Sequence, residues 1–127
     1  MTQITDKERD GVLVRAAWRA MRFWGLTDEQ AEALSGVSGE EREAASEKRL
    51  VLPFRITQDA SERLGLIIAV YRDLHDHFGA QAADRWPKAP NHAPPFSGEP
   101  PLALMIREGK GGMLHTIAHL RALRQGF

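Results

Sequence analysis

Residues 86–101 of the chain read WPKAPNHAPPFSGEPP, and the predicted helices are arranged around this stretch. Six of the seven prolines lie between positions 87 and 101. Proline fixes its own backbone and removes an N–H donor, so a loop of this kind can hold one shape without regular secondary structure. The stretch is therefore predicted to be a stiff display surface, and no catalytic constellation is visible in it.

A long apolar helix is predicted before the loop, over residues 59–78, with Thr57 as a candidate cap. Between residues 64 and 71 the sequence is apolar nearly all round the helix, which indicates burial on most sides. Gly65 costs a helix about 1 kcal/mol relative to alanine, so we expect it to allow close packing of another element. Gly79 ends this helix, and a short turn of helix follows.

Two more helices are predicted after the loop. Pro100 and Pro101 begin the first, at a position where proline is tolerated, and Gly109 closes it. The run Lys110-Gly111-Gly112 indicates a flexible joint before a last helix over residues 112–124. The predicted core contacts of this last helix are Leu114, Ile117, Ala118 and Leu120. A separate polar face of the same helix consists of Arg121, Arg124 and Gln125.

The N-terminal region is predicted to begin with a helix over residues 9–24, because apolar residues recur there at spacings of three and four. Three arginines share another face of this helix: Arg15, Arg19 and Arg22. Two interpretations stay open for them, a solvated basic stripe and a contact surface for phosphate or for an acidic partner protein.

Two short helices joined by a glycine-containing turn are predicted next, as in a helix-turn-helix. Thr27 and Gln30 form a capping-box pattern at the start of the first. Ser38 is predicted to cap the second, over residues 39–49. Pro53 then disfavours helix at the residue before it and marks the boundary with the C-terminal half.

In a helix-turn-helix protein the second of these helices would meet the bases of DNA. Here its first turns carry Glu40, Glu41 and Glu43 with only Arg42 between them, and carboxylates repel phosphates. A structural or dimerising module is therefore the alternative to DNA contact. The candidate DNA-binding residues are Thr27, Gln30, Ser38, Arg42, Lys48 and Arg49.

The composition fits one compact domain, or a small domain with an appendage. The chain has 127 residues, 43% of them hydrophobic, with 17 basic and 17 acidic side chains and no cysteine. Residues 1–62 carry nine basic against twelve acidic side chains and residues 63–127 carry eight against five, unlike a strongly basic nucleic-acid binder. Without cysteine there is neither a disulfide nor thiolate chemistry. No apolar signal-peptide core and no run of about 18 apolar residues is found, so we expect a soluble cytoplasmic protein.

Catalytic and metal-binding sets are not recognised in the sequence. His115 and His119 have the four-residue spacing of a two-histidine zinc site, but no third ligand is evident. Trp18, Trp24 and Trp86 are predicted to belong to the core. We therefore expect no metal, no cofactor and no enzymatic activity, in an all-α fold of about six helices.

The C-terminal half resembles the antitoxin Xre/MbcA/ParS toxin-binding domain. That family shows an apolar helix, a tryptophan, an asparagine-containing loop that leads to a glycine, a proline-initiated helix closed by a glycine, and a last helix that ends near a glycine. The matching positions here are Arg63-Leu64-Gly65-Leu66, Trp86, Pro90-Asn91, Phe96 with Gly98, Pro101-Leu102, Glu108-Gly109, and Leu120 through Gly126. The resemblance covers about half of the chain. The stretch from Leu26 to Ser38 resembles the Xre-like helix-turn-helix that usually precedes this domain.

The resemblance implies a bacterial type II antitoxin, with a helix-turn-helix-like module over residues 1–53 and a toxin-binding domain over residues 54–127. The second part would block a cognate RES-class toxin, which consumes NAD or transfers ADP-ribose, and the first would bind operator DNA and repress the operon. The toxin-binding residues implied by position are Asn91, Arg121, Arg124, Gln125, Gly126 and Phe127. Family analogy also implies a homodimer within a larger toxin–antitoxin complex.

Two features depart from the family pattern: the acidic third helix and about two extra residues near Ala93 and Pro94. The alternative to an antitoxin is a stand-alone helix-turn-helix transcriptional repressor without a toxin partner, and an enzyme ranks third.

Overall fold

The structure is a computed structural model that describes residues 6–46 and 55–126, and within these ranges it is all-α, as predicted. The described residues form seven α-helices and one 3₁₀ turn, and no β-strand occurs among them. The helices are α1 (Asp6–Phe23), α2 (Asp28–Ser35), α3 (Gly39–Ser46), α4 (Gln58–Phe78), α5 (Ala80–Arg85), α6 (Pro101–Glu108) and α7 (Lys110–Arg124), with the 3₁₀ turn at Trp86–Lys88. The predicted boundary at Pro53 lies outside the described residues.

The long helix α4 is the central element of the fold. Thr57 Oγ1 accepts a hydrogen bond from the Ala60 N–H at 3.0 Å and Gly79 follows the last helical residue, so both predicted ends are confirmed. The helices α1 and α7 pack along α4, and α2 and α5 also contact it. The buried core is continuous from α1 to α7, and Ile67 and Val70 of α4 are completely buried in it. The N-terminal and C-terminal helices therefore bury apolar surface against the same central helix.

The predicted caps of α2 and α3 are present. Thr27 Oγ1 accepts from the Gln30 N–H at 3.1 Å while Gln30 Oε1 accepts from the Thr27 N–H at 2.9 Å, which completes the capping box. Ser38 and Glu41 exchange the same pair of hydrogen bonds at the start of α3, at 3.2 and 3.0 Å. Helix α2 ends before residues 36–38 and helix α3 begins after them. Their interpretation as a helix-turn-helix stays a prediction.

The joint between α6 and α7 is helical rather than flexible, which corrects the prediction for residues 110–112. Only Gly109 separates the two helices, because α7 begins at Lys110. A Cβ atom at Gly112 would lie 2.6 Å from the carbonyl oxygen of Leu104 in α6. The glycine therefore allows the backbones of two helices to approach closely, and it is itself buried.

Leu114 and Ala118 were wrongly predicted to face the core, since both are exposed. The buried face of α7 passes instead through Gly112, Met113, Thr116, Ile117 and Leu120. The close contact at Gly112 sets this register, which turns Leu114 towards solvent. The prediction for Gly65 was also wrong: it is exposed, and no atom lies within 4 Å of a Cβ placed there.

Candidate functional site

An aromatic cluster packs the proline-rich loop against α7. Phe96 is 1% exposed, and its ring centroid lies 5.7 Å from that of Trp86 and 5.1 Å from that of His119, edge-on to both. Trp86 and His119 stack on each other at 6.0 Å. Aromatic pairs in such arrangements contribute about 0.5–1.5 kcal/mol beyond the area that they bury. The loop is therefore held in place from its apolar side.

His119 belongs to this cluster as a half-buried ring. Burial lowers the pKa of its imidazole from the ordinary value of 6.5, because the charged form would lose hydration. His115, four residues earlier, is exposed. Over residues 6–46 and 55–126, no group of three or more histidine, aspartate or glutamate side chains is arranged to hold a metal ion.

Asn91 shapes the loop through its own hydrogen bonds. Its Oδ1 accepts from the Ala93 N–H at 3.0 Å, the local backbone contact that asparagine commonly makes in turns. Its backbone N–H donates to the Glu99 carbonyl at 3.2 Å, and its carbonyl accepts from the Gly98 N–H at 2.8 Å. The two sides of the loop are thus joined, and Asn91 is half-buried at that joint.

The end of α7 carries the predicted polar face, and a buried carboxylate of α4 pairs with its two arginines. Asp73 is only 7% exposed. Arg121 Nε donates to its Oδ2 at 3.3 Å, and Arg124 Nη1 donates to its Oδ1 at 3.4 Å. Both guanidinium groups also reach solvent, since their side chains are 61% and 45% exposed. Two cations around one carboxylate leave an excess positive charge at this end of the molecule.

The structure brings most of the predicted toxin-binding residues to one place. Arg121, Arg124 and Gln125 line a depression of about 360 Å³, and Gly126 follows them as an exposed residue. Asn91 does not line this depression. Phe127 lies outside the described residues.

A second surface is formed by α1, α2 and α3. A depression of about 720 Å³ lies between them, and three arginines of α1 contribute to its lining: Arg15, Arg19 and Arg22. Arg42 of α3 also lines the depression. Its Cζ atom lies 4.7 Å from the centroid of the Trp18 ring, and its Nη1 atom lies 2.7 Å from Asp28 Oδ1. Asp28 and Glu43 also line the depression and partly balance its positive charge.

The candidate DNA-binding residues have structural contacts in this surface. The side chains of Thr27, Gln30 and Ser38 accept the capping hydrogen bonds of α2 and α3. Arg42 is engaged by Trp18 and Asp28. Lys48 and Arg49 lie outside the described residues. By contrast, Arg19 and Arg22 are exposed and form no hydrogen bond or ion pair with any residue that the structure describes.

A cluster of charges that the sequence did not predict joins the starts of α4 and α7. Lys110 Nζ lies 2.9 Å from Asp59 Oδ1 and 2.9 Å from Glu62 Oε2, and Arg63 Nε lies 2.8 Å from Asp59 Oδ2. The hydrogen bonds from Lys110 lower the pKa of both carboxyl groups. In return the two carboxylates raise the pKa of Lys110, and Glu62 has the larger effect. Solvent reaches these side chains, so the cluster orients α7 more than it stabilises the fold.

Asp73 is the other site residue that the sequence did not predict. A carboxylate three residues after Val70 on a nearly all-apolar helix was the available signal. Its two partners, however, lie 48 and 51 residues later in the chain, beyond any helical spacing. Only the packing of α7 on α4 brings the three charges together.

Comparisons with known proteins give no family assignment. The sequence matches no protein-family model. It also has no significant match among curated proteins. None of the helices in the described ranges combines the length and the apolar character needed to cross a bilayer.

Proposed function

We propose that this protein is a cytoplasmic, non-enzymatic type II antitoxin that neutralises a RES-class toxin. It binds the toxin, which consumes NAD or transfers ADP-ribose, and occludes its active site. The antitoxin acts as a homodimer within a larger toxin–antitoxin complex. The support comes from the ordered pattern of residues from Arg63 to Gly126 and from the place where that pattern ends in the fold.

The observation that carries the proposal is the exposed cationic end of α7. Asp73 accepts long hydrogen bonds from Arg121 and Arg124, at 3.3 and 3.4 Å, and the exposed residues Gln125 and Gly126 come directly after them. These contacts restrain the two guanidinium groups before binding, and a restrained side chain loses less entropy when it binds a partner. NAD-consuming sites bind an anionic dinucleotide, so a cationic segment is a chemically suitable occupant of such a site.

The test is co-expression of this protein with the product of the adjacent gene, with growth and cellular NAD as the two readouts. The full chain should restore both, and a chain truncated after Leu120 should restore neither. The truncated chain retains the buried residue Leu120, so its hydrophobic core remains complete up to that position. Truncation leaves Asp73 without its arginines, and the truncated chain therefore also carries Asp73→Asn.

A matched control removes two exposed arginines from elsewhere on the surface, as Arg72→Gln with Arg85→Gln. This variant should neutralise the toxin as well as the unmodified chain does. Full neutralisation by the truncated chain would contradict occlusion through the end of α7. A neighbouring gene product that is harmless when expressed alone would contradict the antitoxin function itself.

A second candidate function is operator binding by a transcriptional repressor, and Arg19 and Arg22 favour it. They are exposed, they have no charged partner among the described residues, and they line the same depression as Arg15. Phosphate contacts of this kind make DNA affinity depend on salt. Each contact adds about one to the slope of the logarithm of the association constant against the logarithm of the salt concentration. Arg19→Gln with Arg22→Gln should reduce the slope of log K against log salt for upstream DNA by about two. An unchanged slope would exclude this surface as the DNA contact.

A further inference from the structure

The outward face of α7 combines apolar residues and a charged residue in one stripe. Leu114, Ala118, Arg121 and Gln125 follow one another at spacings of four, three and four, which places them on one side of a helix. All four are exposed, on the side away from the buried Met113, Ile117 and Leu120. We call these four residues the α7 outer stripe.

Leu114 is the unusual member of the α7 outer stripe. Its side chain is 54% exposed, and in the described residues only Val12 and Phe23 are large hydrophobic residues with comparable exposure. Phe23 is partly covered, since it stacks on Tyr71 with ring centroids 6.1 Å apart. An exposed leucine by itself is common in soluble proteins. Here, however, it lies on the same helix face as the cationic end of α7.

The charges of α7 indicate which partner can cover the stripe. From position 110 to position 126 the sequence contains Lys110, Arg121 and Arg124 and no acidic residue. Lys110 is already paired with Asp59 and Glu62 of α4. The unbalanced positive charge is therefore located at Arg121 and Arg124, where one carboxylate faces two guanidinium groups.

We propose that the α7 outer stripe docks a partner protein that offers an apolar contact to Leu114 and a carboxylate to Arg121, beside which Arg124 adds a second positive charge. Arg121 comes seven positions after Leu114 on the helix, so the two contacts on the partner lie about 10 Å apart. This inference rests on the proposed function, because the partner is the neutralised toxin. It adds that neutralisation depends on a leucine outside the C-terminal segment.

The same features disfavour the other occupants of this face. A second copy of α7 brings no carboxylate, so its arginines would meet the first pair with like charge. A nucleic-acid backbone matches the arginines, but it has no apolar group for Leu114. A protein surface with an acidic residue beside an apolar patch satisfies both parts of the stripe.

The experiment is titration calorimetry of the purified product of the adjacent gene with this protein and three variants. Leu114→Gln and Arg121→Gln should each raise the Kd by about tenfold or more, as expected for central interface residues. Only Arg121→Gln should also weaken the dependence of the Kd on salt. The matched control is Val12→Gln, an equally exposed apolar residue on α1, which should change the Kd less than about twofold.

Each outcome separates this inference from the proposed function. If the unmodified protein does not bind the gene product, the proposed function fails and the inference fails with it. If the unmodified protein binds and Leu114→Gln changes the Kd less than about twofold, the inference alone is overturned. If Leu114→Gln instead converts a dimer of this chain to a monomer in sedimentation and leaves the Kd unchanged, the occupant of the stripe is a second copy and the inference is also overturned. Because Leu114 is exposed, the thermal unfolding midpoint of Leu114→Gln should equal that of the unmodified protein.

Discussion

Replacement of Gly112 by alanine should destabilise the protein through a clash between two helix backbones. The new Cβ would lie 2.6 Å from the Leu104 carbonyl oxygen and 2.9 Å from Met105 Cα, where 3.4–4 Å is ordinary contact. Neither neighbour is the movable end of a side chain, so α6 and α7 must separate by up to about 1 Å. Overpacking of this kind costs about 1–3 kcal/mol, and the better helix propensity of alanine offsets less than about 1 kcal/mol.

The measurement is urea unfolding followed by circular dichroism at 222 nm, with Gly111→Ala as the matched control. The net loss of about 1–2 kcal/mol should lower the midpoint for Gly112→Ala by about 0.5–1 M urea. Gly111 is the neighbouring helical glycine, and no atom lies within 4 Å of a Cβ placed there, so Gly111→Ala should be as stable as the unmodified protein or slightly more stable. If Gly112→Ala is as stable as Gly111→Ala, the close contact between α6 and α7 is not a feature of the folded protein.

Three further predictions concern other positions. Burial lowers the pKa of His119 below 6.5, so the unfolded chain takes up the proton first and the free energy of unfolding falls as the pH drops through and below that value. His119→Gln should reduce this pH dependence in urea unfolding, whereas His115→Gln, at an exposed site, should keep it. Thr57→Ala removes the cap of α4 and should cost about 1 kcal/mol, while Thr57→Ser should retain most of that stability; equal loss in both would contradict the capping role. Gly65→Ala should raise the free energy of unfolding by about 0.5–1 kcal/mol, since the site is exposed and nothing lies near the new methyl group, and a lower value would mean that an unrecognised contact exists.

The helix ends of this chain follow from local signals, and the sequence predicted them well. The capping box of Thr27 and Gln30 joins residues only three positions apart, and the cap by Thr57 acts over the same distance. Gly79 and Gly109 end helices because glycine adopts positive φ without strain, and both have it here, at 78° and 62°. Such signals depend on neighbouring residues alone, so they are readable before the fold is known.

The candidate site was only partly predictable. The common polar face of Arg121, Arg124 and Gln125 follows from helical spacing and is confirmed. The carboxylate that holds the arginines, Asp73, was missed, because it is joined to them by packing and not by sequence distance. Leu114 was assigned to the core, since an apolar residue in an amphipathic helix is usually buried.

The all-α class, the ends of the predicted helices in the described ranges to within a few residues, and the polar face at the end of α7 could therefore all be read from local sequence. Those properties arise from backbone sterics, capping hydrogen bonds and side-chain periodicity within one or two turns. The side of α7 that is buried depends instead on helix packing, because the approach of α6 at Gly112 sets the rotation of α7. The same packing decided that Asp73 meets two arginines and that Leu114 faces solvent, since residues far apart in the chain become neighbours only when the helices close on one core.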